Sequence, residues 1–237
     1  RASHQFFLRD DASVSHSRHL LALIQQSLDD AELRLEQLDA IAIVKGPGSF
    51  TGLRIGIAVT QGLAFAHQIP VIAVSSLAVV ALSSQKAFAR QAVAVDAVLA
   101  TMDARMSELY CGWYDIRGSI PRLIGREWVL KPSELNRVGE LQCEEKSGSL
   151  ISSPIELGSR SASTHQSLAL SIVGGGLCYG DQLGLPFSDW MSSTVDLSII
   201  APDASHVLPL ADHALAERQS IQAEQLMPSY LRDNVTS

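Results

Sequence analysis

Cysteine is scarce in this chain. Its three copies, Cys111, Cys143 and Cys178, stand far apart and form no Cys-x-x-Cys pair, which argues against both a disulfide framework and a thiolate zinc site. Buried free thiols are the default expectation. Long apolar runs are missing as well: none approaches the roughly 18 residues that would suggest a membrane span, and the opening RASHQFF has no signal-peptide core. A soluble, cytoplasmic protein with no membrane contact is expected. Positive charge is also short. With 18 basic against 25 acidic residues the formal net charge is −7, whereas a protein that gripped nucleic acid unaided would show a basic face. The densest basic stretch holds Arg117, Arg122, Arg126, Lys131 and Arg137, but Glu127 and Glu134 dilute it, so it reads as solvated surface. No stripe of interleaved aromatic and basic residues suited to single strands is visible.

What is there organises itself around Leu38 to Leu77. An apolar, β-branched run from Ala40 to Val44 has the length of a buried strand. Gly46, Pro47 and Gly48 then make a turn, and Ser49 or Thr51 caps a helix from about Leu53 to Ala66. Pro70 ends the excursion and Val71 to Val74 is a second strand. The right-handed crossover rule makes the two strands parallel neighbours. The loop Gly46-Pro47-Gly48-Ser49 meets a helix N-terminus, where free N–H groups favour an anion. It lacks the Gly-Lys-Ser/Thr ending of a P-loop and misses the dinucleotide spacing. A tight turn that lets helix and strand pack closely is the plainer reading.

Upstream, His4 to Arg9 could be a strand, and Ser13 to Leu28 reads as an amphipathic helix with Leu20, Ile24 and Leu28 in one stripe and Leu21 widening it. His16 and His19 could share a face, but no third metal ligand is near. Asp29 to Leu38 is a connection or short helical turn. Downstream, SSLAVVALSSQKAFARQ is a largely buried helix, and Val93 to Ala100 leads into Asp103, Ala104 and Arg105. Glu108 to Tyr114 alternates with Leu109, Cys111 and Trp113 on one side, as a strand does. Ile120 to Leu130 suggests another strand pair, and Lys131-Pro132-Ser133 opens a short helix. The serine-dense segment 143–167 reads as a flexible insertion. Leu168 to Val173 is a strand that runs into Gly174, Gly175 and Gly176. Pro202 to Gln219 is a helix with Val207, Leu210, Ala211, Ala214 and Leu215 toward the core.

Three strings in order, KGPGSFTGLRIGIAVTQGLAFA, DARMSELYCGWY and PSYLRDN, resemble the bacterial TsaB (YeaZ) family, from about Val14 to Arg232 with a poorly matched middle. The resemblance implies an α/β fold of the two-domain actin, sugar-kinase and Hsp70-like ATPase type. The first domain would comprise 1–98 and 203–237, and the second 99–202 with its insertion. Set against the family pattern, the first domain is expected to lack its N-terminal hairpin in this chain. The implied function is that of a non-catalytic scaffold that pairs with TsaD, the catalytic paralogue, and with the ATPase TsaE. TsaD transfers a threonylcarbamoyl group to the adenosine beside the anticodon of tRNA, so tRNA would be met only through the complex. The positions matching TsaD's His-x-x-x-His metal pair are Ser76 and Val80, so neither that metal nor another cofactor is expected. The competing reading is an ATP-binding or metal-dependent hydrolase in its own right.

The resemblance also places partner binding on Leu20, Leu21 and Ile24 of the first helix and on Gly52, Arg54, Gly56 and Thr60 of the second. Periodicity alone leaves two options open for Gly52, Gly56 and Thr60: a small-residue face for a partner helix, or internal packing. The same surface would pair two copies of the chain when TsaD is absent. Asp103 and Arg105 match a family turn that either touches a cleft ligand or fixes a strand corner. Pro228, Tyr230, Leu231 and Arg232 either tie down the terminus or help bind a partner.

Overall fold

The computed structural model describes residues 8, 16–135, 170–183 and 202–231. The expected strand from His4 to Arg9 apart from Leu8, the 143–167 insertion, Cys143 and Arg232 lie outside the described residues, as does the side chain of His16. The chain divides into two compact units, one of Arg1–Ser76 with Ala204–Ser229 and the other of Leu77–Asp203 with Tyr230–Ser237. Among the described residues no helix is long and apolar enough to cross a membrane.

In the first unit, helix α1 (His16–Asp30) buries Leu28 and half-buries Leu20 and Ile24, while Leu21 is exposed. Strands β1 (Ile41–Gly46) and β2 (Val71–Ser75) pair in parallel from Ile41 with Val71 to Val44 with Val74. Between them helix α2 (Phe50–His67) makes the crossover that the alternation of periods predicts. Ser49 is its N-cap. At the other end Gln68 takes a left-handed conformation and its N–H returns to Ala64 and Phe65, which closes the helix before Pro70. Ile57 and Ala64 of α2 meet Val71, Ala223 and Leu226 in one core. Full burial of such an aliphatic side chain is worth roughly 1.5–3 kcal/mol. Helix α4 (Val207–Ala216), entered by a 3-10 turn at Ala204–His206, lies against β1 and β2. It buries Leu210 and Ala211, but Leu215, expected inside, is 37% exposed, standing at the flank of the buried stripe in the last turn of this short helix.

Helix α3 (Ser76–Arg90) leads into the second unit, whose sheet has the order β5-β4-β3-β6. Strands β3 (Ala97–Arg105), β4 (Glu108–Asp115) and β5 (Arg122–Leu130) are antiparallel neighbours, and β6 (Leu170–Gly174) is parallel to β3. The period of two sorts the side chains cleanly. Val98, Ala100, Tyr114, Ile116 and Val173 face Leu77, Val80, Ala81 and Phe88 of α3. Ala97, Leu99, Leu109, Cys111, Trp113 and Ile172 form the opposite core with Leu135 and Leu183. Burial, and secondarily the charge of Glu127, pushes the Cys111 thiol up to about 12, so it is inert. The strand pair expected over Ile120 to Leu130 is one strand. Its pairing jumps from Gly112 with Glu127 to Trp113 with Ile124, leaving Gly125 and Arg126 as extra residues, and Gly125 absorbs the kink at φ +72°.

Candidate protein interface and strand-end site

The glycine loop is packed from within. Gly46 and Pro47 are buried, and a Cβ on Gly46 would lie 3.0 Å from Leu53 Cδ1 and 3.3 Å from the Ser229 carbonyl oxygen. Ser49 Oγ accepts the Gly52 N–H at 3.5 Å, and its carbonyl accepts that of Leu53 at 2.9 Å. The glycine at 46 therefore answers to the close approach of its own chain, which is the tight-turn reading.

The residues expected to bind a partner do not share one surface. Gly52 is exposed, a Cβ on Gly56 would meet Ile43 Cδ1 of β1 at 3.5 Å, and Thr60 is 7% exposed. The physical reason is the helix itself: at 3.6 residues per turn a spacing of four drifts by about 40° each step, so the row spirals from solvent to core. Arg54 is exposed and stacks over the Phe50 ring at 3.8 Å from its centroid. The outward face of α2 is Thr51, Arg54, Ala58, Gly62 and Phe65, all exposed, with nothing within 4 Å of a Cβ built on Gly62. Phe65 stands 66% exposed and Leu21 of α1 is exposed too. Ala58, Gly62 and Phe65 share this exposed face although the row Gly52, Gly56 and Thr60 does not contain them. The buried triplet Ile57, Thr60 and Ala64 marks the inner stripe, and these residues lie opposite it.

In the second unit the glycine triplet closes on β3. A Cβ on Gly174, at φ +99°, would fall 2.2 Å from the Thr101 carbonyl oxygen, and one on Gly176 would fall 2.6 Å from Thr101 Cβ. Beside it, Tyr179 Oη donates to Asp103 Oδ1 at 2.8 Å, and the Arg105 N–H donates to the same oxygen at 2.8 Å. That bond pushes the Tyr179 phenol up to about 12, so it stays a donor. Asp103 thus fixes the turn through the main chain of Arg105, in a corner where Arg105, Met106 and Ser107 all have positive φ. Ser76 and Val80, on α3, are 4% and 0% exposed. Val80 Cγ1 lies 3.0 Å from the place of a Gly174 Cβ. Among the described residues no three His, Cys, Asp or Glu side chains gather as a metal site requires.

These features can be set beside known proteins. The family model of TsaD, tRNA N6-adenosine threonylcarbamoyltransferase, matches residues 9–237. The tRNA threonylcarbamoyladenosine biosynthesis protein TsaB of Escherichia coli is 31% identical over 225 residues, covering 93% of this chain and 82% of that protein. The solved structure of YeaZ from Pseudomonas aeruginosa aligns with a TM-score of 0.65 at 35% identity, over 91% of this chain and 84% of that one. The tRNA N6-adenosine threonylcarbamoyltransferase of Ligilactobacillus salivarius is 40% identical, but over only 80 residues, 32% of this chain and 23% of that protein. The family model spans both kinds of protein, but the match to that individual transferase is local whereas the match to the Escherichia coli TsaB runs nearly end to end, and the chain belongs to the TsaB (YeaZ) family.

Proposed function

We propose that this chain serves threonylcarbamoyladenosine biosynthesis as a non-catalytic scaffold that pairs with TsaD, and with the ATPase TsaE, so that TsaD can modify tRNA. The observation that carries the non-catalytic part is the packing at Val80. A valine offers no donor atom to a metal, and its side chain fills the core between α3 and Gly174 at the position matched to a TsaD metal ligand. The pairing surface we assign is α1 around Leu20, Leu21 and Ile24 together with the outward face of α2, from Thr51 and Arg54 to Gly62. Leu21, Thr51, Arg54, Ala58 and Gly62 are exposed and Leu20 and Ile24 half-buried, and the small residues Ala58 and Gly62 allow a partner helix to approach closely there. Alone, two copies would use the same face through a two-fold contact.

Mixing the purified chain with TsaD tests the reading. The two are expected to co-elute, and modification by TsaD with TsaE to depend on the chain, while the chain alone turns over neither ATP nor peptide. Separate elution, or turnover by the chain alone, overturns the scaffold. Binding to tRNA should be weak without the partner, given a net charge of −7. In a titration of labelled tRNA at near-physiological salt the dissociation constant is expected above the micromolar range, and submicromolar affinity would contradict that.

A further inference from the structure

The stretch 219–229 of the first unit runs as a strap from β2 to the glycine loop and is fastened at three points. Ile221 and Val71 exchange both main-chain hydrogen bonds, each 2.9 Å. Leu226 is fully buried in the α2 core beside Ala223, and its carbonyl accepts Gln61 Nε2 at 2.9 Å. The Ser229 N–H donates to the Lys45 carbonyl at 2.9 Å.

The third fastening answers an irregularity in β1. Pairing with β2 runs from Val44 with Val74 to Gly46 with Ser75, which leaves Lys45 as the extra residue. A bulged residue drops out of the ladder, and its main-chain groups need another partner. Ser229 supplies one. Gly46 makes the approach possible, because at φ +112° any Cβ would press on both the Ser229 carbonyl and Leu53. Bulge, glycine and strap form one joint: the bulge frees a carbonyl, the glycine admits the strap, and the strap ties the loop to α2 through Gln61.

We infer that residues 221–229 act as a latch on the glycine loop. Seated, the strap holds the loop and the first turn of α2 in the shape described; lifted from its C-terminal end, it releases both while Ile221 stays anchored. The order follows from the fastenings: two reciprocal bonds at Ile221, a buried leucine in the middle, and one hydrogen bond at Ser229. Met227, 67% exposed, sits outside the joint. The latch is a property of the chain alone and does not rest on the partner assigned above.

Hydrogen exchange read by mass spectrometry on the full chain tests it. Ser229→Pro has no N–H to give Lys45. Amides of 46–53 are expected to exchange roughly tenfold faster in this variant, as for a local opening, with a smaller rise in Gln61→Ala. Amides of β3 and β4 and the exchange of Met227→Glu should stay as in the parent. Unchanged exchange at 46–53 in Ser229→Pro overturns the latch. So does a rise of the same size across β3 and β4, which would mean general destabilisation.

Discussion

Gly174→Ala is expected to cost about 3–5 kcal/mol of stability, summed from a strained backbone conformation and an unavoidable overlap. The residue closes β6 opposite Thr101, at φ +99°. Its added Cβ would stand 2.2 Å from the Thr101 carbonyl oxygen and 3.0 Å from Val80 Cγ1. The first neighbour is main chain of a strand paired on both sides and cannot swing away. Thr101 is further committed through its hydroxyl, which donates to the Val173 carbonyl at 2.8 Å in a buried site. Relief must therefore come from parting β6 from β3, which opens the core that Val173 and Ile172 fill on either face. A domain's whole margin is about 5–15 kcal/mol, so the variant should melt well below the parent. Gly175→Ala is the control: the nearest atom to its Cβ is the Asp103 nitrogen at 4.0 Å, and a change under about 1 kcal/mol is expected for an unstrained surface-like site. Urea midpoints of the three proteins decide it. Equal midpoints for Gly174→Ala and the parent would show that the strand end does not need glycine.

Local pattern made much of this fold legible. The change of period between Ala40 and Val74, punctuated by Gly46, Pro47, Gly48 and Pro70, marks the strand, helix and strand of the first unit because each signal acts within a few residues. Leu109, Cys111 and Trp113 were readable for the same reason. What the sequence leaves open is which partner each glycine makes room for. Gly46 answers to Ser229, and Gly174 to Thr101, partners that only the folded chain brings near. A glycine that admits a backbone and one that admits a ligand look alike in a string of letters. Gly125 misleads in the same way: a positive φ serves a bulge as well as a turn, so one kinked strand reads as two. The role of Asp103 was half visible. That it fixes a corner was readable, but its second partner, Tyr179, follows the glycine triplet and meets it only because β6 lies beside β3.

A pair of variants separates the two options that periodicity leaves open on α2, a face for a partner helix and internal packing. Gly62→Arg is expected to fold like the parent, because a Cβ there has nothing within 4 Å, yet to abolish co-elution with TsaD. An arginine on the outward face of α2 would place both bulk and an uncompensated charge in a helix contact, at a cost on the order of several kcal/mol, enough to weaken binding by roughly a hundredfold or more. Gly56→Arg is expected to act on the fold instead. A Cβ there already touches Ile43 Cδ1 of β1 at 3.5 Å on a half-buried face, so the longer side chain crowds the contact of α2 with β1, and overpacking of that kind costs about 1–3 kcal/mol. Circular dichroism, thermal melting and size exclusion with TsaD are read together. A folded Gly62→Arg protein that still pairs with TsaD would move the partner off α2. A Gly56→Arg protein that keeps the parent's melting temperature but loses TsaD would return the interface to the inner stripe, against the burial of Thr60 one turn further along.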